Sequence, residues 1–361
     1  MSKKKIFGGV ALALASTLAF TSCSGGSNAG GGDSSNGDGP VEITVLGYAA
    51  LFGDMYTEAV IDAFNASQDD VVASFEPAQN SAEMLGKLRS EAGSPTADVA
   101  IMDASVAHTG NKEGLFQKIS EADVPNLANV VELGQSADGY GPAVTFDNLV
   151  VLYNTELVDK APKGTADLWN APDNSVSIPA PPDIQGHTLT VLTENRLGGD
   201  YKQDISQAIS ELSKLAPKVN TWEPVPDVYQ PVISGTSQYG VGWNARAQYF
   251  AEDSGGVMGV VQPDDGIGFQ INTINVTEGI GDERTAAAMA FVDYALSKEA
   301  QENFSTVLNY APVIADAELP ADVADRIAKA DDPNIVPIDW IWLADYRDAW
   351  TDEWRRNVIG G

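Results

Sequence analysis

From Val41 onward, short runs rich in β-branched and apolar residues alternate with segments of helical period, which restricts the fold to an α/β architecture. Val41-Glu42-Ile43-Thr44-Val45-Leu46 reads as a strand, followed by a loop carrying Tyr48, Leu51 and Phe52. Met55, Ala59, Val60, Ala63 and Phe64 then share one face of a helix. Ser81 to Ala92 reads as a second helix, and Asp98 to Met102 as a buried strand ending at Asp103. Leu149 to Tyr153 and Tyr239 to Trp243 are further strands. Ile205, Ala208, Ile209, Leu212 and Leu215 form an apolar helical stripe, and Arg284 to Leu296 and Lys298 to Leu308 are helices. No internal repeat is present.

The start of the chain has a different character. Lys3, Lys4 and Lys5 precede an apolar run from Ile6 to about Phe20, which closes on Thr21-Ser22-Cys23. That is the layout of a secretory leader with a small-residue cleavage site, too short in its apolar part for a mature spanning helix. Cys23, the single Cys of the chain, follows the cleavage position as in a bacterial lipobox, so residues 1–22 read as a lipoprotein signal peptide and Cys23 as the lipidated residue. Ser24 to Pro40 is almost entirely Gly, Ser, Asn and Asp, and residues 23–40 read as a flexible tether. The expectation is an exported domain, lipid-anchored to the outer face of the bacterial cytoplasmic membrane.

Charge and rare residues exclude several functions. Lys plus Arg number 21 against 51 acids, a formal net charge of -30, and loss of the leader would remove three Lys and no acid. Nucleic acid needs a cationic footprint and is therefore excluded as a main partner. One Cys allows no disulfide within the chain and no Cys-based zinc site, and His108 and His187 alone cannot build a His-based metal centre. Gly235-Thr236-Ser237-Gln238-Tyr239-Gly240 places its second Gly one residue too late for a nucleophile elbow. Gly266-Ile267-Gly268 precedes strand-like sequence rather than opening a helix, and it has Ile271 where a third Gly is needed. No enzyme is expected, and no cofactor or metal.

Several aromatic and acidic residues remain to be placed. Trp342, Tyr346, Trp350 and Trp354 recur every four residues and read as one helical stripe packed on a lobe surface, with Trp340 just before it. Tyr48, Trp243, Tyr310 and Asp103 each end or follow a predicted strand, with Ser105 close behind Asp103. Ligands of open α/β sheets bind beyond the carboxyl ends of strands, so these residues are candidates for a shared cleft.

At this point the chain resembles a family, the extracellular solute-binding proteins of ABC importers, in the group that includes spermidine/putrescine-binding proteins. Leu152-Tyr153-Asn154-Thr155-Glu156-Leu157-Val158 is similar to the family's strand-to-turn segment, as are Ser234-Gly235 with Gly242-Trp243-Asn244, and Pro263-Asp264-Asp265-Gly266. Phe291 to Gln301, followed by Tyr310-Ala311-Pro312, completes the series. The order and spacing of these segments carry the resemblance, over roughly Val41 to Trp354.

The resemblance implies a two-lobed periplasmic-binding-protein-like fold (type II), with lobes joined by crossing strands and closing over one solute. It implies one lobe from residues 41–144 and 272–317 and the other from 145–271 and 318–361. The candidate ligand-binding residues are Tyr48, Phe52 and Trp340, read from the strand-end loop and the late Trp cluster, with Asp103, Ser105, Asp183, Trp243, Gln270, Asn272 and Tyr310, which the resemblance places at the cleft. The amine-binding relatives carry Trp-x-Asp where this chain has Gln270-Ile271-Asn272, so a charge partner for an amine is replaced by an amide worth less to an ammonium. The absence of a Tyr-Tyr pair argues against iron. The resulting expectation is a monomeric binding component that takes a polyamine-like or other amine or cationic solute to membrane permease subunits. A zwitterionic, amino-acid-like or phosphonate solute, recognised through Asn244 and Arg246, is the alternative. A secreted hydrolase is the reading from another class.

Overall fold

Nine strands form one sheet in the computed structural model, which describes residues 39–136 and 138–360. The leader, Cys23 and most of the Gly/Ser-rich segment lie outside the described residues. The strands are β1 (Val41–Tyr48), β2 (Val71–Ala78), β3 (Val99–Asp103), β4 (Ala143–Asn154), β5 (Val176–Ser177), β6 (Val219–Thr221), β7 (Tyr239–Trp243), β8 (Met258–Val261) and β9 (Phe269–Val276). Their order is β2-β1-β3-β9-β4-β7-β5-β6, with β8 also paired to β4. β1 runs parallel to β2 and β3, whereas β9 is antiparallel to both β3 and β4. The inner strand β3 is apolar and buried nearly throughout, whereas the edge strand β2 alternates buried and exposed residues.

Two principal apolar clusters lie on either side of the β4–β9 pair. The first gathers β1, β3 and β9 with the helices at residues 51–67, Asp282–Ala295 and Lys298–Leu308, and includes Phe52, Tyr56, Phe64, Phe291 and Phe304. The second gathers Leu149, Val151, Leu189, Leu192, Leu212 and Val241 with Trp340, Trp350 and Trp354. Val323, Ile327 and Ala328 pack in the first cluster, and Val336 and Ile338 in the second. The late chain therefore changes sides near residue 335, where Ile335 bridges Ile267.

Local departures from the sequence reading have identifiable causes. Tyr48 belongs to β1 rather than to the loop after it, because pairing with β2 continues through Tyr48↔Ala78. β4 begins at Ala143, six residues before the apolar run at Leu149, because it pairs with β9 there and the buried Thr145, Asp147 and Asn148 find partners in Asn272, Ala245 N–H and Gln262. The helix after β1 is interrupted by a wider π turn at Thr57–Ile61. The late Trp stripe is not one helix. It breaks between Trp340–Ala344 and Arg347–Trp354, and Tyr346 turns out to 43% exposure and stacks on Trp342 at 4.0 Å. Trp350 and Trp354 are buried, as packing residues should be.

Candidate functional site

The C-terminal ends of β1 and β3 bring Tyr48 and Asp103 together against β9. Antiparallel register sets Asn272 opposite Asp103 on one side and opposite Thr145 on the other, with Gln270 opposite Asp147. Cross-strand partners share a face of the sheet, so these polar side chains form one patch. Ser81 Oγ donates to Asp103 Oδ2 at 2.9 Å, and Gln270 Nε2 donates to Asp103 Oδ1 at 2.7 Å. Tyr48 OH lies 2.8 Å from Ser81 Oγ and donates to Asn272 Oδ1 at 3.1 Å, while Asn272 Nδ2 donates to Thr145 Oγ1 at 3.0 Å. Both oxygens of Asp103 are thus bonded to the protein's own donors, and a solute reaching it would replace Gln270 or bind beside it. Burial, with the Asp103 charge adding to it, raises the Tyr48 phenol, so this hydroxyl stays protonated as a donor.

A narrow gap of about 10 Å³ is lined by Asp103, Ala104, Ser105, Ile184, Gln270, Ile271 and Trp340. Asp103 begins the helix Ala104–Lys112, and Asp183 begins the helix Ile184–Arg196, so two helix starts meet at this gap. Asp183 accepts from Gln185 N–H at 2.8 Å. Its carboxyl is raised by desolvation and by the negative Asp103, against that hydrogen bond and the positive Arg347. Trp340 is buried, and its indole N–H donates to Phe269 O at 2.8 Å.

The remaining sequence candidates lie around this centre. Tyr310 is stacked on Phe304 with ring centroids 5.2 Å apart and meets Phe52 edge-on at 5.8 Å. Phe52 is buried and also meets Tyr48 edge-on at 5.4 Å, so it backs both tyrosines from inside the core. Trp243 closes β7 and starts the helix Asn244–Asp253, half-buried against the second apolar cluster. Its backbone is held twice by Tyr229 OH, which donates to Trp243 O at 3.1 Å and accepts from Trp243 N–H at 3.2 Å.

Asp147 was not a sequence candidate, yet it is the most unusual group in this region. It is buried, and its Oδ1 accepts from Asn148 N–H at 2.9 Å and from Ala245 N–H, at the start of the Asn244–Asp253 helix, at 3.1 Å. No cationic side chain among the described residues comes within ion-pair distance of it. Burial pushes its carboxyl up to about 7 despite those hydrogen bonds and the positive field of Arg246. Arg246 is exposed and without an ion-pair partner among the described residues. The available signal was a carboxylate two residues ahead of the apolar run at Leu149, because a buried acid in a sheet needs a reason.

Comparison with known proteins fits this architecture. Residues 59–331 match the family model described as bacterial extracellular solute-binding protein. An ABC transporter structure from Clostridium perfringens aligns at 24% identity with TM-score 0.72, covering 88% of this chain and 99% of its own. An ABC transporter substrate-binding protein from Bradyrhizobium japonicum aligns at 17% identity with TM-score 0.74, covering 87% and 99%. A spermidine/putrescine ABC transporter substrate-binding protein from Streptococcus pneumoniae, solved with calcium and HEPES, aligns at 18% identity with TM-score 0.70, covering 88% and 99%. No curated protein sequence matches. The chain belongs to the bacterial extracellular solute-binding proteins, with their two-lobed α/β fold of type II.

Proposed function

We propose that this chain is the capture component of an ABC importer, closing its lobes over a small organic solute that carries an amine or other cationic group and passing it to permease subunits. The observation that carries the solute class is the set of carboxylates on facing elements: Asp103 at the gap, Asp183 beside it, and the unpaired Asp147. A helix N-terminus is the usual place for an anion, but Asp147 already occupies the one at Ala245. Tyr48, Tyr310 and Trp243 supply aromatic surface for the apolar part of such a solute.

The lobes in this reading are residues 41–144 with the chain from 272 to about 335, and residues 145–271 with the remainder. Packing of Val323, Ile327 and Ala328 in the first apolar cluster supports a lobe boundary after Ala317. Cys23 carries the lipid that holds the chain, as a monomer, at the outer face of the membrane. Binding proceeds without turnover.

A second solute class has one specific observation behind it. Arg246, without an ion-pair partner and close enough to affect Asp147 and Tyr310, would pair the carboxylate of a zwitterionic solute whose ammonium sits on the acids. Thermal-shift screening of amines, amino acids and phosphonates decides between the classes, because a ligand at 100 times its Kd adds about 2.7 kcal/mol. Amine hits lost in Asp183→Asn support the cationic reading. Hits confined to amino acids and lost in Arg246→Gln would replace it with the zwitterionic one, and steady consumption of a hit by catalytic amounts of protein would overturn both.

A further inference from the structure

A trough runs over the outer side of the second apolar cluster, flanked by the helices Ser206–Leu215 and Arg347–Trp354. It consists of two hollows of about 370 and 480 Å³, which share Asp204, Ile205 and Glu353 and so adjoin. Each falls within the roughly 300–1,000 Å³ typical of small-molecule sites. All its lining residues come from 201–213 and 342–357, segments that pack on that one cluster. None of them lines the gap at Asp103, so the trough belongs to one lobe and not to the space between lobes.

One end of the trough is aromatic, lined by Tyr201, Trp342, Tyr346 and Trp350. Tyr201 meets Trp342 and Trp350 edge-on, with centroids 5.6 and 6.3 Å away, and its hydroxyl accepts from Asp339 N–H at 2.8 Å, which fixes the ring. Tyr346 lies nearly parallel to Trp342, and at 43% exposure the stacked pair keeps an aromatic face toward solvent. Such a face is electron-rich and attracts C–H groups presented on a flat ring. The other end is polar: Ser206, Ser210 and Ser213 share one side of their helix, with Glu353 and Asn357 across a floor of Ile205 and Ile209. The charges are matched among neighbours, since Lys202 pairs with Asp339, Arg356 with Glu353 at 2.7 Å, and Asp204 accepts from Ser206 N–H at 3.1 Å. No unmatched cluster of one sign is left to select an ion. Asn357 spends Nδ2 on Glu353 and keeps Oδ1 as an acceptor, while Ser hydroxyls both donate and accept. A guest that fits both ends has an apolar ring face edged with hydroxyls and carries no charge.

We propose that this trough is a surface site for a neutral oligosaccharide, separate from the interlobe solute site, with one pyranose ring stacked on the Trp342–Tyr346 pair and the following rings along the Ser edge. The test uses the whole chain carrying Cys23→Ser, with cellotetraose as the probe because its equatorial hydroxyls leave both ring faces to C–H groups. Sorbitol, which has the hydroxyls but no ring, is the control. Saturation-transfer NMR should show signal passing from the protein to cellotetraose at millimolar concentration, and none to sorbitol. Tyr346→Ala should weaken the sugar at least fivefold in a titration of that signal. Ser210→Arg, at an exposed helix position that tolerates a long side chain, should block the trough and abolish the transfer. Amine hits of the interlobe screen should be unaltered in Tyr346→Ala, and an amine screen without hits would discard the interlobe cationic reading alone. Equal transfer to sorbitol, transfer that survives both variants, or no transfer to cellotetraose overturns the proposal.

Discussion

The two faces of β9 use similar side chains in opposite ways. On one face Gln270 and Asn272 spend their amides on Asp103, Thr145 and Tyr48, and the patch is closed by the protein's own hydrogen bonds. On the other, Asn275 Nδ2 is bonded to Ala100 O and Thr273, while its Oδ1 is sealed against Gly141 without a hydrogen-bond partner. Both faces are polar at the centre of a sheet, where burial would otherwise select apolar residues. The first face has its polar groups paired within the protein, whereas the second carries one buried acceptor left unpaired.

The largest way to break this contrast is Asn272→Asp. A carboxylate there loses the Nδ2 bond to Thr145 and is buried opposite Asp103, so stability without solute should fall by about 3 kcal/mol at pH 8, read by urea denaturation. Saturating organic cation should restore much of that loss. An unchanged urea midpoint would show that the patch is open to water.

Asp147→Asn should act in the other direction. Asp147 titrates near 7 when folded and near 4 when unfolded, so the folded state holds its proton more tightly and stability falls as pH rises between those values. The amide variant should therefore gain roughly 1–4 kcal/mol over the parent at pH 8, with the gain vanishing by about pH 4. His187 works against this trend. It is fully buried, with neither ring nitrogen hydrogen-bonded, and burial lowers it to about 3. The unfolded chain takes up that proton first, so His187 costs stability as pH falls from about 6.5 toward 3. His187→Leu should flatten the acid limb of the stability–pH curve, and an unaltered limb would assign acid sensitivity elsewhere.

Smaller effects sharpen the comparison. Gln270→Leu removes the 2.7 Å bond to Asp103 and should cost about 1.5–2 kcal/mol while leaving Asp103 free for solute. Thr273→Val, on the opposite face, loses a 3.4 Å contact with Met102 O and the 3.0 Å bond from Asn275 Nδ2, which keeps Ala100 O and Thr273 O as acceptors, and should cost no more than about 1 kcal/mol in the same titration. Comparable costs for the two would remove the asymmetry between the faces.

Four of the nine strands and the main amphipathic helices were legible from their period, and Tyr239–Trp243 and Lys298–Leu308 match their expected limits, whereas β2, β5, β6 and β8 carried no period that marked them. Limits were misread where tertiary partners extend an element through residues with no local preference for it. Thr145 and Asp147 lie ahead of the apolar run at Leu149, but Asn272 donates to Thr145, Ala245 N–H donates to Asp147, and β4, paired with β9, runs through both. The Trp stripe has the spacing of one helix, yet Asp339 caps Trp342 N–H at 2.9 Å and a second helix starts at Arg347. Strand-end logic brought Tyr48 and Asp103 forward as a pair, since it depends on topology alone. It could not indicate that Gln270 and Ser81 already occupy Asp103, nor that Asp147 lies alongside, because both facts depend on register between strands far apart in the chain.

The twelve-residue β4, paired to β9 along its first half and to β7 and β8 along its second, has a mechanical consequence. Lobes strung on an unpaired linker would swing freely, like beads on a thread. Here the connection is a laminated ribbon, and any relative movement must be taken up as twist shared among neighbouring rungs of the ladder. Such a ribbon behaves as a torsion spring with a resting angle. Its stiffness would be set by the rungs at Asp147↔Gln270 and Thr145↔Asn272, the same residues that form the polar patch around Asp103.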